Sequence, residues 1–143
     1  MIERLVLLAA LALLSAPSFA QAPVRQPASA HLGAWSFKTP PYAGGCVLSG
    51  QMRITQPNAG PLSCRFNAVE TCANRTAKAT QTCTVLRTGN SVKITSKVVR
   101  TDSPSYVPDN FEVELTAPSE MRGMMKSFNS APVVFRRSVQ AIS

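Results

Sequence analysis

Leu62, Cys64, Phe66 and Ala68 alternate along the chain with Ser63, Arg65, Asn67 and Val69. A period of two puts one set of side chains on each face of an extended strand, whereas a helix repeats every 3.6 residues. The pattern recurs. Over 46–54, Cys46, Leu48, Met52 and Ile54 share a face and Val47, Ser49, Gln51 and Arg53 the other, with Gly50 marking a bend. Over 91–100, Val92, Ile94 and Val98 oppose Lys93, Thr95 and Lys97; over 111–115, Glu112 and Glu114 point outward. Segments 33–38, 79–87, 120–127 and 133–137 complete a set of eight. Between them lie turn residues: TQPNAGP (55–61), Gly89-Asn90, TDSPSYVPDN (101–110) and TAPS (116–119). The stretch 70–83 has enough Ala and Lys for a short helix, but its threonines and its lack of an apolar stripe argue against more than a turn or two. Eight short strands with mostly short turns imply an all-β, eight-stranded antiparallel up-and-down barrel, since closure removes exposed edges.

Strand register constrains the four cysteines. With Gly89-Asn90 as a two-residue turn, Val85 faces Ile94 and Arg87 faces Val92. A hairpin centred near Ala73-Asn74 places Cys64 opposite Cys83, Phe66 opposite Gln81 and Ala68 opposite Ala79. A loop centred near Asn58 puts Cys46 opposite Glu70, two residues from Cys72. This registration favours Cys64–Cys83 and Cys46–Cys72 among the three connectivities. Cys46–Cys64 would be about six residues out of register, roughly 20 Å, beyond a disulfide's reach. A helical 70–79 would open Cys72–Cys83 instead.

The N-terminal 1–20 segment reads as a secretory signal. Arg4 precedes the apolar run LVLLAALALLSA, Pro17 ends it, and Ser18-Phe19-Ala20 offers a small-x-small cleavage site. Twelve apolar residues are too few to span a bilayer, which needs roughly 20, so cleavage leaves a chain that does not span the membrane. Export to a periplasmic or secreted, oxidising compartment agrees with an even cysteine count. Residues 21–30, QAPVRQPASA, have two prolines, no periodicity and only Val24 as a large apolar side chain; they read as a flexible arm. Residues 31–143 suit one barrel domain.

Gly33-x-Trp35 at the start of the first strand of a secreted eight-stranded meander resembles the lipocalin or calycin superfamily, where the tryptophan packs across the closed end of the barrel. In length the chain is closer to avidin-like barrels and to small periplasmic metalloprotease inhibitors. The arm, Gly33-x-Trp35 and the early Cys46 resemble the inhibitors' outline. That resemblance implies an arm that enters a protease cleft, with Arg25 as its charged contact. The stretches SYVPDNFEVEL (105–115) and MRG…VVFRR are also similar to small secreted proteins of proteobacteria, a likeness that brings no function with it.

The inward face of such a barrel comprises Trp35, Phe37, Leu48, Met52, Phe66, Val85, Ile94, Phe111, Val113, Met121 and Phe135. This set is bulky enough to fill an eight-stranded interior. Met121 and Met125 share a face and Met124 opposes them, which fits packing better than a copper site. His31 is the chain's one histidine, and no Gly-x-Ser-x-Gly, His-Glu-x-x-His or Cys-x-x-Cys is present. The cysteine spacings do not suit a zinc ribbon. Asn74-Arg75-Thr76 matches a glycosylation sequon, at a frequency near chance. The expectation is a non-enzymatic protein without cofactor or metal. Fifteen Lys/Arg against seven Asp/Glu give a net charge of +8. That favours anionic partners such as an envelope component or, through the inhibitor outline, a secreted protease. Nucleic acid is disfavoured by export and by the absence of a basic, aromatic platform. Three functions stand open: a binding or inhibitory module acting on a macromolecule, a carrier of a small lipophilic ligand in a void lined by Phe66, Ile94 and Phe111, and an envelope protein with no pocket.

Overall fold

The computed structural model describes residues 17–19 and 27–138. Most of the signal segment and residues 21–26 of the arm, including Arg25, lie outside them. A single 3₁₀ turn, Ala28–His31, leads into eight strands: β1 Gly33–Lys38, β2 Val47–Thr55, β3 Leu62–Cys72, β4 Arg75–Thr88, β5 Ser91–Thr101, β6 Phe111–Ala117, β7 Glu120–Lys126 and β8 Ser130–Arg137. Each pairs antiparallel with the next, and β1 returns to β8 through Trp35↔Arg137 and Phe37↔Phe135, closing the barrel. Three residues expected in the arm, Ala28–Ala30, therefore belong to the turn that packs at the barrel's end, with Ala30 against the core.

The alternation places the core. Trp35, Phe37, Leu48, Met52, Phe66, Val85, Ile94, Phe111, Val113, Met121 and Phe135 are all buried, and Glu112 and Glu114 are exposed. Val98 is only half-buried: β6 pairs with β5 over Ser91–Ile94 alone, so no sixth strand runs beside Val98. The 70–83 segment is strand throughout, split by a tight turn at Ala73-Asn74 into the ends of β3 and β4. Its β-branched threonines find places on the outer wall of a 14-residue strand.

Register delivers both disulfides, Cys64–Cys83 and Cys46–Cys72. Cys64 sits opposite Cys83, and Val85 opposite Ile94, as the turn centres imply. The β2–β3 expectation is off by two: Leu48, not Cys46, faces Glu70. Asn58 and Ala59 both take left-handed backbone, with φ of 46° and 55°, which moves the loop's centre one residue along. Extending that register past Val47↔Thr71 brings Cys46 level with Cys72, their Cα atoms 4.0 Å apart.

Gly50 has a packing reason. A Cβ there would run into the Phe37 ring and the Asn67 carbonyl. The gap lets Phe37 enter a cluster with Phe66, Phe111 and Phe135, whose centroids lie 5.2–5.9 Å apart in tilted and edge-to-face contacts. These rings fill the middle of the barrel.

Candidate functional site at the barrel mouth

The two ends of the barrel are built differently. At one end Trp35 is fully buried, and its indole Nε1 donates to the His31 carbonyl at 3.0 Å. The Arg137 guanidinium lies 4.3 Å over the Trp35 ring. It also donates to the carbonyls of Leu32 at 2.6 Å and Ala30 at 2.7 Å. Gly33 makes the crossing feasible: its φ is +109°, and a Cβ would stand 3.0 Å from an Arg137 nitrogen. His31 is fully buried, its Nε2 3.1 Å from the Asn90 carbonyl. Burial pushes its pKa below 6.5, the backbone hydrogen bond opposes this, and the charges of Arg87 and Arg137 add to the lowering. A neutral imidazole thus completes a closed base, and the lone histidine is structural rather than a solvent-facing acid or base.

The opposite end is a mouth. The β1–β2, β3–β4, β5–β6 and β7–β8 connections converge there around a cavity of about 280 Å³. Its walls include Tyr42, Glu70, Tyr106, Asp109, Met125 and Phe128. Met125 is the register partner of Phe111 and joins the cavity floor to the ring cluster. At the rim Val107 is 46 % and Phe128 86 % exposed.

Polar groups are anchored beneath that apolar rim. Asp109, only 4 % exposed, receives hydrogen bonds on Oδ2 from Gln81 Nε2 at 2.6 Å and Tyr106 OH at 2.7 Å. Its backbone N–H donates to Gln81 Oε1 at 2.9 Å. Fully buried Gln81 therefore clamps the 102–110 loop with both ends of its amide. Asn110 Oδ1 accepts from the Ser96 N–H at 2.8 Å, where β6 no longer flanks β5. Across the mouth, Tyr42 OH donates to Glu70 Oε2 at 2.6 Å, and Arg75 pairs with Glu70 Oε1 at 3.3 Å. The Cys46–Cys72 bridge ties the same wall together.

Burial raises the Asp109 pKa to about 6; the hydrogen bonds from Tyr106 and Gln81 pull it down, and the Glu70 charge pushes it up. Burial also raises both tyrosines, helped for Tyr42 by its hydrogen bond to Glu70 and for Tyr106 by the Asp109 charge. The phenols stay protonated donors at neutral pH.

Asp109 lies in the 101–110 turn stretch, where alternation assigns no inward face. A signal was present. Gln81 stands at an inward position between Ala79 and Cys83, and a buried amide needs buried partners. The expected disulfide cysteines and core residues lie where the alternation puts them, and Phe66, Ile94 and Phe111, expected around a void, are each at most 2 % exposed, with the Phe66 and Phe111 ring centroids 5.9 Å apart. Among the described residues no helix is long and apolar enough to cross a membrane.

No protein-family model matches the chain, and no curated protein sequence does. Solved structures do. A de novo designed fluorescence-activating β-barrel matches with a TM-score of 0.55 at 14% identity, covering 78% of this chain and 96% of its own. A redesigned β-barrel matches with a TM-score of 0.56 at 17% identity, covering 83% and 100%. At such identities the likeness is one of fold: a closed, eight-stranded antiparallel barrel.

Proposed function

We propose that the protein is an exported, non-enzymatic binding module of lipocalin-like build whose ligand enters the barrel at the mouth. The observation that carries this reading is the cavity itself, a concave, partly apolar recess with a few fixed polar groups converging on it, which is the usual form of a ligand site. The plugged base and the ring-filled middle leave the mouth as the place where a ligand meets both apolar surface and held hydrogen-bonding groups. Exposed Phe128 and Val107 at its rim suit it equally to a small molecule or to a side chain presented by a macromolecular partner. The Gly33–Trp35 closure supports the lipocalin-like build, and the signal-like 1–20 segment and the two disulfides support export. A long lipophilic cargo fits less well, because aromatic side chains occupy the depth it would need.

Co-purification from a native envelope extract, read by native mass spectrometry, tests this. The full chain is expected to carry a bound species that is lost when Tyr106→Ala and Phe128→Ala are combined and retained when residues 21–26 are deleted. The reverse pattern would contradict the proposal and return the function to an arm-led inhibitor with Arg25 as its contact.

A further inference from the structure

We infer that the mouth selects a small organic cation, a protonated amine carried on one ring or on a short apolar chain. This rests on the mouth being the ligand site and adds the chemistry of what it takes. Among the described residues, the charged side chains lining the cavity are Glu70, Asp109 and Arg75, a net negative charge in a protein of net charge +8. The two carboxylates are not equivalent. Glu70 is matched by the Arg75 guanidinium and the Tyr42 hydroxyl. Among the described residues Asp109 meets no cation: Gln81, Tyr106 and Ser127 are all neutral donors. Oδ2 takes the two short bonds, and among the described residues Oδ1 is met only by Ser127 Oγ at 3.5 Å, a long contact. A nearly buried carboxylate thus keeps unused acceptor capacity on a wall of the cavity.

Buried charge without an opposite charge is costly, and an incoming ammonium offsets that cost where a neutral or anionic ligand cannot. Tyr42, Tyr106 and Phe128 line the same space, and aromatic rings attract cations. Size narrows the class further. A cavity of roughly 150 Å³ holds benzene, so about 280 Å³ takes a single ring with a short ammonium arm. Long polyamines exceed it, and phosphates and carboxylates would face two like charges.

Titration calorimetry with the full chain decides the matter, using 2-phenylethylammonium, the neutral 2-phenylethanol and the anionic 3-phenylpropanoate, with backbone amide NMR shifts to locate each. The ammonium is expected to bind about tenfold or more tighter than the alcohol, the carboxylate weakest, with shifts at Tyr106 and Phe128. Asp109→Asn should remove that preference. Affinity should fall from about pH 7.5 to about pH 5 as Asp109 takes a proton. Of the groups facing it, Gln81 and Ser127 do not titrate there, Tyr42 and Tyr106 stay protonated, and Glu70 is paired with Arg75. Equal binding of ammonium and alcohol with shifts at the mouth would overturn the cation inference and leave the binding-module reading standing. Silence from all three probes at millimolar concentration would overturn both. If Asp109→Asn fails to fold, the ranking of the three probes on the unmodified protein still separates these outcomes.

Discussion

Trp35, Gly33 and Arg137 form one unit, although Trp35 and Arg137 are far apart in the chain. The indole plugs the base, the glycine clears a path, and the guanidinium crosses it to hold the carbonyls of the 3₁₀ turn. Trp35→Ala is expected to cost about 3–5 kcal/mol, measured by denaturant unfolding. As the chain's one tryptophan, Trp35 should emit at short wavelength when folded and move red on unfolding; water-exposed emission from the native state would remove it from the base. Gly33 and Trp35 were readable from sequence because they sit two residues apart in one strand. Arg137 was not, because its role exists only after β8 returns to β1. Asp109 gives a second residue-scale prediction. Its folded pKa of about 6 exceeds its unfolded value of 3.8, so below pH 6 the folded state keeps a proton that the unfolded chain releases until about pH 4. Its contribution to stability therefore grows as pH falls through that window. Buried His31 works the other way, since the unfolded chain takes up a proton below pH 6.5 that the folded state resists. Comparison with Asp109→Asn cancels the His31 part: the wild type should gain roughly 2–3 kcal/mol on the variant between about pH 7 and pH 4. An unchanging difference would place Asp109 in solvent.

Strands and hairpins were the most legible level. Turn centres at Ala73-Asn74 and Gly89-Asn90 paired Cys64 with Cys83 and Val85 with Ile94, because a tight turn dictates every pair beyond it. The 55–61 loop was less legible: which of its residues adopt left-handed backbone moves the register by two. The bridges close loops of similar length, 26 and 19 residues apart in sequence. Each should contribute about 3 kcal/mol on loop entropy, so replacing either pair by alanine should lower the unfolding midpoint comparably, and a large asymmetry would show that one bridge acts through local packing. Gly50→Ala should cost about 1–3 kcal/mol by displacing Phe37 from the ring cluster, seen as lost dispersion of the aromatic NMR signals. Unperturbed aromatic signals would mean that Phe37 does not lean into the space above Gly50.

The whole molecule is a barrel with one end plugged, a middle filled by phenylalanines and a polar recess at the other end. Closure with an apolar interior was legible from alternation alone. The mouth was not, because its lining comes from three connections and the ends of β3, β4 and β7, which are distant in sequence and meet only once β1 and β8 pair. Gln81 was the one hint, a polar side chain on an inward face, and its partner Asp109 lies 28 positions away in a segment without periodicity. The central claim is that the mouth, and not the outer wall or the base, meets the ligand. Phe128 and Leu86 make a matched pair for testing it, both exposed and apolar, one at the rim and one on the wall. The direct measurement places a photoreactive benzoyl-phenylalanine at position 128 or at position 86, irradiates each protein in native envelope extract, and reads the adducts by mass. A discrete adduct from position 128 and none from position 86 is the expected result; adducts from position 86 alone, or the same adducts from both, would contradict a ligand site at the mouth.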